Sequence, residues 1–166
     1  WGNMYIISTD ESIKSLSDLS GKTVSVSQQG ATPDVILRYA LDKAGLTKKV
    51  TLDYTLTAHA DLAASVISGQ TAIALMPEPF VSNIMAKNNT VKIVVDMQQV
   101  WAETTGGEAY IPQSAIVVKG SFADANPGAV ADFIAAQRTS AQYTTNVNEL
   151  ADLAEKHGVT LPAVAI

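Results

Sequence analysis

The sequence predicts an α/β fold: a doubly wound, mainly parallel sheet of about five strands with helices on both faces. Short apolar segments with strand patterns alternate along the chain with segments of helical periodicity. The segments at residues 71–76 and 91–96 are nearly continuous apolar runs, as buried parallel strands are. The connections between these segments are short, which favours right-handed crossovers and helices on both faces of one sheet.

Six segments carry strand patterns, and the alternation of polar and apolar residues is clearest at residues 23–27. The predicted strands cover residues 4–8, 23–27, 50–56, 71–76, 91–96 and 113–119. Residues 97–110 lose periodicity and hold two consecutive glycines, so a loop is predicted there.

The strongest helix signal begins at Thr32, which supplies a hydroxyl N-cap before Pro33 and the first-turn carboxylate of Asp34. Apolar residues then recur at helical spacing, and Gly45 supplies a left-handed stop. Further helices are predicted over residues 61–68, 80–87, 129–143 and 148–157. No repeat or linker divides the chain, so residues 1–166 are expected to form one α/β lobe.

Composition and charge narrow the function classes. Sixteen acidic and eleven basic residues give a net charge of -5 without a Lys/Arg cluster, which disfavours nucleic-acid binding. The absence of cysteine excludes a thiol nucleophile, a disulfide and every thiolate metal site. The apolar runs are far shorter than the roughly 20 residues that span a membrane. Both ends of the sequence are apolar, and we expect a second domain beyond them.

The sequence offers no catalytic constellation, so no enzyme activity, cofactor or metal is expected. His59 lies at a predicted helix start and His157 at a predicted helix end, where solvent exposure and dipole compensation explain them. No nucleophile elbow, paired carboxylates, metal-binding histidine pair or nucleotide-binding glycine loop accompanies them.

The candidate ligand site lies where the parallel strands end, because loops and helix N-termini meet at that edge of an α/β sheet. The segment after the second strand offers a glycine, two amides and a hydroxyl at a helix start. Its candidate residues are Gln28, Gln29, Gly30, Ala31 and Thr32. An ordinary strand-to-helix turn explains the same residues.

Two further segments contribute candidates. Glu78 stands before Pro79 in a rigid bend at the same edge, where its carboxylate could bind a ligand or hold a neighbouring loop. Trp101, Thr104 and Thr105 belong to the predicted loop, and Trp101 could stack on a flat ligand or anchor the loop on the core.

Several motifs in order resemble the type II periplasmic binding proteins. Residues 13–24, I-K-S-L-S-D-L-S-G-K-T-V, are similar to the I-K-S-L-x-D-L-K-G-K-x-I segment of that superfamily. Residues 30–34, 41–46, 63–70 and 78–80 follow in the order of its sulfonate-, nitrate- and thiamine-precursor-binding branch. Residues 126–127, the helix after them and residues 146–153 are similar to the segment that follows the second lobe.

This resemblance implies that the chain is the second lobe of a two-lobed protein whose first lobe lies outside this sequence. It implies capture of a small polar, anionic or heteroaromatic solute in a cleft between lobes for an ABC permease. The loops at residues 29–32, 78–80 and 101–107 match loops that face the cleft. The protein would be extracytoplasmic, periplasmic or lipid-anchored, and would meet the membrane only through an anchor outside this segment.

Two other functions share this fold. An effector-sensing domain of a transcription regulator ordinarily follows a DNA-binding helix-turn-helix segment. A pyrimidine-precursor synthase resembles the same branch but uses a histidine and a cysteine-rich metal motif, and this chain has no cysteine.

Overall fold

The structure, a computed structural model, describes residues 3–107, 111, 115–142, 152–153 and 156–158. The chain divides into two compact units, with the boundary between residues 113 and 114. Each unit is described by itself, and the organisation of residues 1–166 as one lobe stays a prediction.

The first unit contains a five-stranded mixed sheet, which confirms the predicted α/β class. Its strands are β1 Met4–Ser8, β2 Thr23–Val26, β3 Thr51–Asp53, β4 Ile73–Pro77 and β5 Lys92–Asp96. They lie in the order β3-β2-β4-β1-β5. β2 runs parallel to β3 and β4, whereas β1 runs antiparallel to both β4 and β5. The sheet is therefore mainly parallel, with one reversed strand.

The reversed strand β1 lies near the middle of the sheet because it is apolar on both faces. Ile6 and Ile7 are both fully buried and point to opposite faces. Ile6 pairs with Leu75 of β4 and packs in one hydrophobic cluster, while Ile7 pairs with Ala74 and packs in another. The two clusters are the cores on the two sides of the sheet.

Four helices cover the sheet: α1 Thr32–Lys43, α2 His59–Ile67, α3 Phe80–Lys87 and α4 Met97–Thr105. The buried apolar residues of α1 and α4 belong to the cluster of Ile6, and those of α2 and α3 to the cluster of Ile7. This three-layer arrangement confirms helices on both faces. Gly45 and Gly69 have φ of 67° and 78° after α1 and α2, as their predicted role as helix stops requires.

The start of α1 differs in one detail from the prediction. Thr32 is the first helical residue, and Ala31 is the N-cap without a side-chain hydrogen bond. Pro33 is tolerated one position later than predicted because first-turn N–H groups have no partner within the helix.

The loop predicted for residues 97–110 is wrong over most of its length, because α4 occupies residues 97–105. The Asp96 side chain caps this helix by accepting hydrogen bonds from the N–H groups of Gln98 and Gln99 at 2.8 and 3.3 Å. Gly106 ends the helix with φ of 66°. Residues 108–110 lie outside the described residues.

The second unit contains two helices, α5 Gly120–Ala125 and α6 Pro127–Gln142. α6 confirms the helix predicted from residue 129 and begins two residues earlier, at a proline that suits a first helical turn. The strand predicted for residues 113–119 is absent from residues 115–119, where Val117 is 88% exposed. An apolar segment forms a strand only where a neighbouring strand supplies backbone hydrogen-bond partners. Most of the helix predicted for residues 148–157 lies outside the described residues.

No helix within the described ranges has both the length and the apolar character needed to cross a membrane.

Candidate functional site

The candidate site lies at the carboxyl edge of β2, β3 and β4. These strands are parallel, so α1, α2 and α3 all begin at this edge. The connecting segments at residues 27–31, 54–58 and 78–79 therefore meet there. Neither α1 nor α2 has a side-chain cap, since their N-cap residues are Ala31 and Ala58.

The first segment is a tight turn. The N–H of Ala31 donates to the carbonyl of Gln28 at 3.0 Å. Gln28 and Gly30 both adopt the left-handed region, with φ of 55° and 82°. Gln28, Gln29 and Gly30 are exposed, and Ala31 and Thr32 are half-buried. All five predicted residues of this segment are thus at the surface of the carboxyl edge.

Ser27 and His59 join this segment to the start of α2. The buried Ser27 Oγ lies 2.5 Å from His59 Nδ1, and the Gln28 N–H donates to the Thr57 carbonyl at 3.3 Å. The His59 ring centroid lies 5.2 Å from that of Phe80, the first residue of α3. Burial lowers the pKa of His59, so the ring is neutral at neutral pH.

Glu78 holds its own helix. Its carboxylate accepts hydrogen bonds from the N–H and the hydroxyl of Ser82 at 3.1 and 2.9 Å, in the first turn of α3. Its backbone N–H donates to the Asn3 carbonyl at 2.8 Å. Pro79 is exposed and follows a cis peptide bond. Among the described residues, the carboxylate thus bonds the helix that follows it and no neighbouring loop, and its predicted role in ligand binding stays a prediction.

Trp101 lies on α4 and reaches towards α1. Its ring centroid is 5.7 Å from that of Tyr39, and it packs partly against the core. A cleft of about 370 Å³ brings Trp101 together with Gly30 and Thr32. Its other lining residues are Val35, Ile36 and Ile111.

Thr104 and Thr105 are not loop residues. The Thr104 hydroxyl donates to the Val100 carbonyl at 2.6 Å, and the Thr105 hydroxyl to the Trp101 carbonyl at 2.8 Å, both within α4. Thr104 lines a different cavity, of about 840 Å³, between α4 and the last turn of α1. The structure therefore groups Trp101 with the first segment and leaves the two threonines on the far part of α4.

Sequence reasoning missed Ser27 and His59. Ser27 ends the alternating pattern of β2, and His59 was assigned to solvent exposure, whereas its ring is half-buried between two helix starts. A histidine that opens a helix at the carboxyl edge is the signal that could have identified it. Across the described ranges, no cluster of three His, Asp or Glu side chains is arranged to hold a metal ion.

The left-handed backbone at Gln28 leads to a stability prediction. A residue with a Cβ in this region loses about 1 kcal/mol relative to glycine. We therefore expect Gln28→Gly to have a free energy of unfolding about 1 kcal/mol higher than Gln28→Ala. Urea denaturation of both variants measures the difference, and a less stable glycine variant would show that this turn is not left-handed at residue 28.

The lowered pKa of His59 gives a pH prediction. Above its ordinary value of 6.5, the ring is neutral in the folded and unfolded states. Below that value the unfolded state takes up the proton first, so stability is lost as the pH falls. We expect the free energy of unfolding to fall less for His59→Asn than for wild type between about pH 7 and about pH 5.

The matched control for this experiment is His157→Asn, because His157 is exposed. If His59→Asn and His157→Asn behaved alike, the desolvation of His59 would be contradicted.

Solved structures with the same fold include an ABC transporter structure and two sulfonate-binding proteins. An ABC transporter structure from Parabacteroides distasonis has 24% identity and a TM-score of 0.73, and the match covers 99% of this chain and 53% of that one. The periplasmic aliphatic sulphonate binding protein SsuA from Escherichia coli has 22% identity and a TM-score of 0.71, with coverage of 97% and 52%. The alkanesulfonate-binding protein SsuA from Xanthomonas axonopodis pv. citri, bound to MOPS, has 18% identity and a TM-score of 0.59, with coverage of 98% and 53%.

At these identities the likeness shows the fold alone, and at the level of the fold it confirms the resemblance drawn from the sequence. The chain spans about half the length of the structures it matches. No curated protein sequence matches it. The model of the NMT1-like family matches residues 7–156, a range that includes β2 to β5 and all three segments of the candidate site, and the chain therefore belongs to the NMT1-like family.

Proposed function

We propose that this chain is the second lobe of an extracytoplasmic solute-binding protein, which captures a small polar or anionic solute for an ABC importer and leaves it chemically unchanged. Membership of the NMT1-like family and the fold of sulfonate-binding proteins support this proposal. The first lobe, in the part of a longer protein outside this sequence, would supply the other contacts to the ligand.

The observation that carries the proposal is the pair of uncapped helix starts at one edge of the sheet. Ala31 and Ala58 have no polar side chain, so the first-turn N–H groups of α1 and α2 receive no capping bond from them. Such N–H groups and the positive end of the helix dipole favour a negatively charged or strongly polar acceptor. An anionic ligand can satisfy these N–H groups in place of a capping side chain.

The surroundings of these helix starts define the class of ligand. The Gln28 and Gln29 amides and the Thr32 hydroxyl add neutral hydrogen-bonding groups, while Trp101 adds an aromatic surface. Neutral donors beside helix starts favour an oxyanion such as a sulfonate or nitrate. A pyrimidine-like solute, which would stack on an aromatic ring, is the alternative that the ligand test must separate.

The proposed partners follow from this role. The two-lobed protein would present its closed form to the permease subunits of the importer. It would stay extracytoplasmic, either free in a periplasm or held at a membrane by an anchor outside this segment.

Thermal-shift measurements test the proposal on the two-lobed protein and on this chain. Ethanesulfonate, nitrate and an aminopyrimidine are the candidate ligands, and choline is the cationic control. At a ligand concentration about 100 times the Kd, binding stabilises the folded state by about 2.7 kcal/mol, which raises Tm by several degrees. We expect a saturable shift with an oxyanion in the two-lobed protein, a smaller one in this chain, and recovery of the ligand unchanged.

Two serine substitutions test whether the ligand binds at this edge of the sheet. Ser27→Ala removes the contact to His59 between the two helix starts, whereas Ser68→Ala removes an exposed hydroxyl at the opposite end of α2. The first variant should weaken the thermal shift and the second should not. Conversion of the ligand, or a shift with choline alone, would sink the proposal.

A further inference from the structure

Asp34 is a fully buried carboxylate in the first turn of α1, and it receives two hydrogen bonds and one ion pair. Gly30 donates its N–H to Oδ2 at 2.8 Å, and Tyr54 donates its hydroxyl to Oδ1 at 2.7 Å. The Arg38 Nε lies 3.3 Å from Oδ1, although the Arg38 side chain is 57% exposed. A buried carboxylate persists only when its charge is compensated and its oxygens are bonded, and these three donors meet both needs.

The partners of Asp34 come from two different segments of the candidate site. Gly30 belongs to the turn at residues 27–31, and Tyr54 opens the segment that leads from β3 to α2. Asp34 therefore bonds both segments from a third element, α1. Two direct bonds join the same segments, from the Gln28 N–H to Thr57 and between Ser27 and His59.

We infer that Asp34, acting with Tyr54, is the positioning residue that holds the turn at residues 27–31 in the conformation needed for ligand binding; this inference rests on the proposed function. Asp34 has no exposed surface, so it acts through the turn and not through the ligand. The left-handed backbone conformation of Gln28 costs conformational free energy. It persists where surrounding hydrogen bonds hold the backbone in place. The bond to the Gly30 N–H is one such constraint, since Gly30 lies two residues after Gln28.

The alternative role for Asp34 is that of a first-turn acid that stabilises α1 and pairs with Arg38 four residues later. That role needs neither Gly30 nor Tyr54. Removing the Tyr54 hydroxyl therefore separates the two roles, because Phe keeps the ring that packs against the core and leaves the bond to Arg38 intact.

The experiment compares Tyr54→Phe with Tyr39→Phe, a control on α1, the helix of Asp34, at a tyrosine that is exposed. Amide hydrogen exchange at Gly30 is measured together with Tm and the affinity for ethanesulfonate in the two-lobed protein. We expect Tyr54→Phe to exchange at Gly30 about tenfold faster, to bind about tenfold more weakly and to lose a few degrees of Tm, because a bond to a buried carboxylate is lost. Tyr39→Phe should match wild type in all three.

Asp34→Asn is a second test of the positioning role, because the amide keeps one acceptor oxygen but loses the charge. It should also accelerate exchange at Gly30, whereas Asp42→Asn, an exposed acid at the end of α1, should not. A lower Tm with unchanged Gly30 exchange and unchanged affinity would make Asp34 purely structural and overturn the inference.

Failure of the proposed function is distinguishable from failure of this inference. If the wild-type protein binds no ethanesulfonate, nitrate or aminopyrimidine, the proposed function fails, and Gly30 exchange alone decides the positioning role. Faster exchange in Tyr54→Phe then supports it, and unchanged exchange overturns it.

Discussion

Replacing Ile7 with alanine is expected to lower the free energy of unfolding by about 2–5 kcal/mol. Ile7 is fully buried on β1, in the cluster that α2 and α3 cover. Strands on both sides hold the backbone, so the surroundings cannot collapse into the cavity that alanine would leave. The loss therefore combines the transfer of the removed atoms with the cost of the cavity.

The control for Ile7→Ala is a substitution at Ile93, which pairs with Ile7 on β5. Ile93 lies opposite Ile7 in the ladder but is 43% exposed on the edge strand. We expect Ile93→Ala to cost about 1 kcal/mol or less, because the removed atoms are largely in water already. Urea denaturation measures both variants, and similar losses would contradict the central position of β1.

The second large effect concerns ligand binding at the start of α2. Ala58→Asp places a carboxylate at the N-cap, where it accepts bonds from first-turn N–H groups and stabilises the helix by about 0.5–2 kcal/mol. The same carboxylate occupies the donors that we assign to the ligand and repels an anion. We expect stability to rise while the affinity for ethanesulfonate falls about a hundredfold.

Ala58→Asn is the matched variant, because asparagine caps a helix about as well as aspartate but carries no charge. It should raise stability similarly and weaken ethanesulfonate binding only about tenfold. Equal losses of ethanesulfonate affinity in the two variants would show that the charged end of the ligand does not lie at the start of α2. Calorimetric titration that finds unchanged affinity in both would remove α2 from the site.

The parts of the fold that local patterns encode could be predicted. The start of α1 is marked by Pro33 and its end by Gly45, and the structure ends the helix before that glycine. Strands β2, β3 and β4 were expected because each short strand pattern is followed by a helical period, and β5 because its segment is a nearly continuous apolar run. These signals depend on residues that are neighbours in sequence.

Strand direction is not a local property. β1 has the same apolar pattern as a parallel strand, and its reversal depends on pairing with β4 and β5 far along the chain. α4 was missed for a different reason: its glutamines and threonines obscure the spacing of Met97, Val100 and Trp101. The Asp96 cap and the Gly106 stop were the signals that could have revealed it.

The loops of the candidate site could be predicted from the sequence, whereas the side-chain contacts between them could not. The turn at residues 28–32 was expected at the carboxyl edge, and it lies there. The bonds from Ser27 to His59 and from Tyr54 to Asp34 join residues 32 and 20 positions apart, and no spacing rule along the chain predicts them. Glu78 was predictable as a rigid position, but its bond to Ser82 in the first turn of α3 was not.

The crystal structure of the two-lobed protein with the oxyanion that gives the largest thermal shift tests the central claim most directly. The account predicts that the oxyanion lies within hydrogen-bonding distance of first-turn N–H groups of α1 and α2, beside the turn at residues 28–32. An oxyanion bound elsewhere, for example in the cavity between α4 and the last turn of α1, would contradict it.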